Sequence, residues 1–154
     1  MITVCRDPEI VRMFMSLPEV ARYATEYGAS IDDLNCEITP QNGWLLYNVN
    51  GEFIGLTQLE IVSGCAAQFH PYILREFKEH YDDMIKELFK WFIEEVPDQI
   101  VKLNAVIPIH CKGALLAADR AGMITEGVDR ESFLTSDGAC DRILKGILRR
   151  EMKA

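Results

Sequence analysis

Residues 99–132 read QIVKLNAVIPIHCKGALLAADRAGMITEGVDRES. The run Ile100–Ile107, rich in Val, Leu and Ile, predicts a strand covered on both faces and stopped at Pro108. Lys112–Ala121 predicts a short helix, whose small residues Gly113, Ala114, Ala117, Ala118 and Ala121 let it lie close against a sheet. Gly122 stands where a helix ends in a left-handed residue, a conformation that glycine reaches without a Cβ clash. A second strand starts at Met123. The rest of the chain reads as partner surfaces for this strand–helix–strand unit.

Upstream, Ile73 to Glu95 carries Phe77, Tyr81, Met84, Ile85, Leu88, Trp91 and Phe92 at helical spacing, with charged residues opposite. The pattern predicts one long amphipathic helix, closed by Pro97. Before it, Trp44–Val49 and Glu52–Val62 predict strands joined by Asn50-Gly51, a strong hairpin signal. Cys65–Phe69 predicts a third strand, ended by Pro71. At the start, Ile2–Cys5 predicts a short strand and Asp7-Pro8 a capped helix. Ser16 and Glu19, at capping-box spacing, restart that helix toward a stop at Gly28, and Ala29–Gln41 reads as a connection. Downstream, Met123–Thr135 and Cys140–Glu151 predict a second hairpin, turned by Ser136-Asp137-Gly138. The expected class is α+β (mixed α/β): one domain over residues 1–154, with a central, mostly antiparallel twisted sheet flanked by helices.

Composition sets the outer limits. A chain of 154 residues builds one substantial core. Its net charge of −8 argues against general nucleic-acid binding, which needs clustered Lys and Arg to neutralise phosphates. The five cysteines are odd in number, widely spaced and without a CxxC pair, so reduced, mostly buried thiols are expected. The opening MITVCRDPEI lacks a signal-peptide layout, and no apolar run approaches the ~18 residues of a membrane span. A cytoplasmic location without membrane attachment is the expectation.

Few residues announce chemistry by spacing. Glu60, on the strand after the first hairpin, and His70, at the end of the next, are candidate catalytic bases for an amine, against the plainer readings of a rim carboxylate and a core histidine. His110-Cys111 suggests a thiol nucleophile, although chain neighbours rarely make a productive pair. His70, His80 and His110 show no metal-ligand spacing, so no metal is expected.

The order of elements resembles that of the GNAT acyl-CoA N-acyltransferases. The detail lies in the second half: Ala114…Gly122-Met123, then Glu126-Gly127-Val128-Asp129-Arg130-Glu131-Ser132, then Gly138…Asp141…Gly146…Leu148-Arg149. The resemblance implies a GNAT-like sheet and an acyl-CoA site at the entry to the long helix. There the family carries a glycine-rich loop, whose N–H groups wrap the pyrophosphate. Here that entry reads HPYILREFKEHY from His70 to Tyr81, and no glycine lies between Gly64 and Gly113. Glu79 and Tyr81 fall near the family's glycine positions, where a carboxylate would oppose an anion. Arg75, Lys78 and His80 are the candidate replacements for cofactor binding. Cys111 falls where the family carries Asn, and Ala118 where it carries the Tyr that protonates the leaving thiolate.

HPYI and LNAVIP…GM…EGV…ES…DG…D…GILRRE also resemble small GNAT-like head-assembly proteins of short-tailed phages. That narrower resemblance implies an accessory factor in head or virion assembly with a degenerate acyl-CoA site. Its partners would be phage structural proteins in the host cytoplasm, with no cofactor expected. The alternative is an acetyl-CoA-dependent N-acetyltransferase with a divergent phosphate loop; a GNAT-fold binding module for another ligand is a third reading.

Overall fold

The computed structural model describes residues 1–153. One seven-stranded sheet runs in the order β1-β2-β3-β4-β5-β7-β6. Its strands are β1 (Ile2–Val4), β2 (Asn42–Val49), β3 (Glu52–Ile61), β4 (Ala66–Ile73), β5 (Lys102–Pro108), β6 (Ile124–Thr135) and β7 (Gly138–Leu148). Every neighbouring pair is antiparallel except β4 and β5, which the helix α3 (Tyr81–Glu95) connects as a crossover. α1 (Pro8–Met15) and α2 (Pro18–Ala24) share a core with Trp44, Leu56 and Tyr72 on one face of the sheet. α3 and α4 (Lys112–Arg120) share the core of the other face with Leu45, Phe69 and Leu103.

Local chemistry accounts for most of these elements. Asp7 Oδ1 accepts from Glu9 N at 3.0 Å and Pro8 supplies a preset φ, so α1 starts where the sequence places it. Asn50 and Gly51 both have positive φ, 52° and 80°, the geometry of a type I′ turn matched to strand twist. At the end of α4, Gly122 takes φ 89° while its N–H donates to Asp119 and that of Met123 to Ala118, a full Schellman closure. Phe89, absent from the expected apolar face, is buried on α3 beside Met84, Ile85, Leu88 and Phe92.

The boundaries differ from expectation in several places, each with a physical cause. Ser16 does not cap α2; its hydroxyl donates back to Arg12 O at 2.6 Å, and α2 starts on Pro18 and ends at Ala24 rather than Tyr27. β4 does not stop before Pro71 but continues to Ile73. Leu74 N donates to Ile54 O, so alternation points the N–H groups of Tyr72 and His70 toward β3 and the proline nitrogen away from it. The missing donor therefore breaks no bond to β3. The long helix does not begin at Ile73: Arg75–His80 form 3₁₀ turns with a non-helical Phe77 (φ −113°, ψ 18°), and regular α-helix begins only at Tyr81. At the other end β7 finishes at Leu148, before a 3₁₀ turn over Arg149–Glu151. Only Cys5 and Cys36 are buried; Cys65 is exposed, Cys111 and Cys140 are half-buried, and all five thiols are free.

Arg149 fastens the closed end of the molecule. Its guanidinium donates to the carbonyls of Ile100, Phe92, Ile93, Val96 and Pro97 at 3.0–3.4 Å and lies 4.7 Å over the Phe92 ring. Positive charge at the C-terminus of α3 satisfies carbonyls that have no partner within the helix. At the opposite edge Lys145 is buried, with Nζ bonded to Asp119 and to Thr125 Oγ1, which ties α4 to β6 and β7. Arg142 reaches Asp129 and Ser132 from β7 and Asp141 accepts from Glu131 N, so the conspicuous EGVDRES segment forms and braces an irregularity in β6.

α3 approaches β3 closely at Gly55, where a Cβ would meet Met84 Sδ at 2.7 Å, Tyr72 O at 3.1 Å and Tyr47 Cβ at 3.3 Å. Gly55→Ala is therefore expected to cost about 1–3 kcal/mol by overpacking, read as a lower denaturation midpoint. Adding Met84→Ala is expected to recover part of that loss; strict additivity of the two changes would contradict the contact.

Candidate functional site

β4 and β5 pair over three residues only, Ala66–Gln68 against Lys102–Asn104. Beyond them the strands separate, and a cavity of about 600 Å³ opens between Phe69–Ile73 and Ala105–Pro108. The same alternation that turns Pro71 away from β3 aims the Ile73 N–H into this gap. On β5, Ile109 N donates to Asp141 O, so the N–H groups of Ala105 and Ile107 face β7 and that of Val106 faces the gap. Pro71 and Pro108 both occupy gap-facing positions, where a strand loses nothing by lacking an N–H. The cleft walls thus present two unpaired backbone amides, at Ile73 and Val106, among mostly apolar side chains.

The charged part of the lining is cationic in a chain of net charge −8. Lys78, Lys112 and Arg120 line the cavity against a single carboxylate, Glu19. Glu19 is already engaged, accepting from Arg75 N at 2.8 Å. Arg120 binds Asp82 through two bonds of 2.9 and 3.0 Å, which neutralises an acidic residue in the first turn of α3. Tyr72 and Tyr81 also line the cavity, and burial raises the pKa of both phenols far above their ordinary value, so both stay protonated.

The sequence-predicted residues divide between the cleft and its surroundings. Lys78, His70 and Cys111 line the cavity. Arg75 and His80 are not in the lining; Arg75 is exposed, and His80 sits 3.9 Å from Glu79 with its ring against Phe77. The 3₁₀ turns replace the expected helix here and carry these two residues off the cleft wall. Glu79 is exposed as well and presents no carboxylate to the cavity. Glu60 lies outside the lining but behind His70, its Oε1 3.7 Å from His70 Nε2. Tyr81, Lys112 and Arg120 were not candidates, since an aromatic at core spacing and cations on helices read as ordinary core and solvated faces.

Glu60 and His70 belong to a polar row on the α1/α2 face that also holds Asn42, Gln58 and Gln68. Gln58 Nε2 donates to Asn42 Oδ1 at 2.8 Å, and Gln68 Nε2 lies 3.1 Å from His70 Nε2. An amide donor there makes Nε2 the acceptor and puts the ring proton on Nδ1. Burial, with the positive charge of Arg142 added, lowers the His70 pKa to about 4, and burial raises that of the Glu60 carboxyl. His70 is thus neutral and accepting at physiological pH.

By sequence, the chain matches no family model and no curated protein. By structure, it is similar to spermidine N-acetyltransferase from Vibrio cholerae, solved with CoA and spermine: TM-score 0.81, 17% identity, covering 98% of this chain and 96% of that one. It is also similar to the ribosomal-protein-S18-alanine N-acetyltransferase of Escherichia coli, with TM-score 0.73, 11% identity and 100% and 95% coverage. A GNAT-family acetyltransferase from Streptococcus pneumoniae aligns at TM-score 0.71 and 14% identity, over 96% and 98%. The chain has the GNAT fold. Among the described residues no helix is long and apolar enough to cross a membrane.

The lowered His70 pKa makes a pH prediction. Between about pH 6.5 and 4 the unfolded chain protonates this imidazole while the folded one resists. Folded stability should therefore fall on acidification through that window, by up to about 3 kcal/mol from this group. The raised Glu60 carboxyl opposes part of the loss at the acid end. Urea denaturation at several pH values should show a shallower decline for His70→Gln; an unchanged slope would contradict the assignment.

Proposed function

We propose that the protein is an acyl-CoA-dependent N-acyltransferase, with the β4–β5 cleft as its acyl-donor site. The observation that carries this reading is the cleft itself: two strands forced apart, with free amides at Ile73 and Val106, apolar walls and three cations in the lining. An extended ligand bearing amides can pair with such free strand edges, and Lys78 and Lys112 offer charge to phosphates. The donor, when bound, supplies an acyl thioester. This chain's amides hold an extended arm and its carbonyl oxygen, the apolar walls exclude water, and the cations fix the anionic end.

The phosphate end departs from a glycine-rich cradle. The 3₁₀ turns consume N–H groups before α3, as where Tyr81 N bonds Lys78 O, and no glycine lets the backbone wrap an anion. Side-chain charge from Lys78 and Lys112 takes over that task, while Arg120 offsets Asp82. On the acceptor side, the Glu60 carboxylate beside the cleft attracts a cationic amine, and neutral His70, its Nε2 held by Gln68, forms part of the wall. The structural relatives named above act on spermidine and on a ribosomal-protein alanine, which supports an amine acceptor without selecting one. A virion-assembly role rests on sequence resemblance alone; the open, cation-lined cleft favours the enzyme.

Acetyl-CoA at a hundred times its dissociation constant should stabilise the fold by about 2.7 kcal/mol, read as a raised melting temperature and as heat in calorimetric titration. Reversing charge at Lys78 and Lys112 together is expected to weaken binding about tenfold or more, a loss of about 1.4 kcal/mol or greater. Wild-type protein that gives neither shift nor heat at millimolar acetyl-CoA would overturn the reading.

A further inference from the structure

We infer that Cys111 is an acyl-accepting nucleophile, so that the cleft passes its acyl group through a thioester on this chain before an amine receives it. The inference rests on the acyl-donor reading above. Cys111 lines the cavity at the N-cap of α4, and its Sγ lies 3.7 Å from His110 Nε2. The other ring nitrogen, His110 Nδ1, lies 3.7 Å from Cys140 Sγ on β7. An imidazole between two thiols therefore stands at the cleft, drawn from the end of β5, the start of α4 and the start of β7.

The backbone explains how chain neighbours come to face one another. Ile109 N donates to Asp141 O and keeps the chain beside β7, and Cys111 N donates to Pro108 O at 2.9 Å and closes a turn. Within that turn the His110 ring packs against Phe133 at 5.8 Å. With Nδ1–H donated to Cys140, the Nε2 lone pair faces the Cys111 thiol, the arrangement that a base-assisted nucleophile needs. No side chain caps α4, so the partial positive charge of its first-turn N–H groups adjoins the sulfur and the place where a carbonyl oxygen would gain charge. Burial beside Cys140 raises the Cys111 pKa to about 11, so it rests as a thiol and depends on His110 for activation.

The step balances without an external oxidant or reductant. Cys111 Sγ bonds to the acyl carbonyl carbon as its proton passes to His110 Nε2. The bond from that carbon to the donor sulfur breaks, and the departing thiolate takes the proton from His110. One thioester replaces another. An amine then attacks the Cys111 thioester; the bond to Cys111 breaks and the amine's proton returns through His110 to the sulfur.

The test is to incubate the full chain with acetyl-CoA, quench in acid, digest and map acetyl groups by mass spectrometry. The expected result is one hydroxylamine-labile acetyl on Cys111, absent in Cys111→Ser and forming at least about tenfold more slowly in His110→Gln. Exposed Cys65 serves as the internal control. Acetylation of Cys65 at an equal rate, or a hydroxylamine-stable group on Lys112 alone, would overturn the inference. Titration with CoA itself separates the two levels. CoA binding with no Cys111 adduct removes the inference and leaves the donor site standing, whereas failure to bind CoA removes both. A donor-free check covers misfolded variants: iodoacetamide should alkylate Cys111 faster in wild type than in His110→Gln, and equal rates between variants of unchanged melting temperature would contradict the pairing.

Discussion

The parting of β4 and β5 after three paired residues is the constraint from which the rest of the site follows. A strand edge without a partner leaves amide and carbonyl groups that must find water or a ligand. Here that edge is not at the rim of the sheet but in its middle, with β3 bonded on one side and β7 on the other. Two prolines on gap-facing positions reduce the number of unpaired donors and so make the opening tolerable. What remains at Ile73 and Val106 is a small, directed pair of donors.

Keeping the strands apart takes fastening elsewhere. Arg149 binds five carbonyls around the end of α3 and the chain entering β5, which fastens the helix to the paired part of the sheet. Gly55 lets α3 press against β3, and Lys145 holds α4 against the β6–β7 edge. These contacts join both helices of one face to opposite halves of the sheet. They lie away from the mouth, where Lys78, Lys112 and Arg120 face the cavity. Rigid supports around an open gap suit a site whose geometry exists before its ligand arrives.

Much of the fold was legible because its signals are local. Asn50-Gly51 demands positive φ at both positions, and Gly122 after a small-sided helix demands a left-handed closure; the structure shows both. Pro71 misled because the cost of a proline depends on which edge its nitrogen faces, and that is decided by pairing with β3 rather than by neighbours in sequence. The start of α3 misled for a related reason, since Phe77 and Tyr81 keep helical spacing across 3₁₀ turns that do not propagate as α-helix. At the site, Lys78, His70 and Cys111, singled out in the sequence, do line the cavity, but their company was not legible. His110 touches Cys140 across 30 positions, and Arg120 reaches Asp82 across 38. The motif-rich EGVDRES segment carried the family resemblance, yet its Asp129 and Ser132 bind Arg142 and brace β6.

The most direct measurement is amide hydrogen exchange at Ile73 and Val106, with and without CoA, read residue by residue by NMR. The account predicts that both amides exchange quickly in the free protein, unlike Ala105 and Ile107 on the β7 side, and that CoA slows both. Strong protection of Ile73 and Val106 before CoA is added, or no change on its addition, would contradict the claim that this gap is a ligand-binding edge.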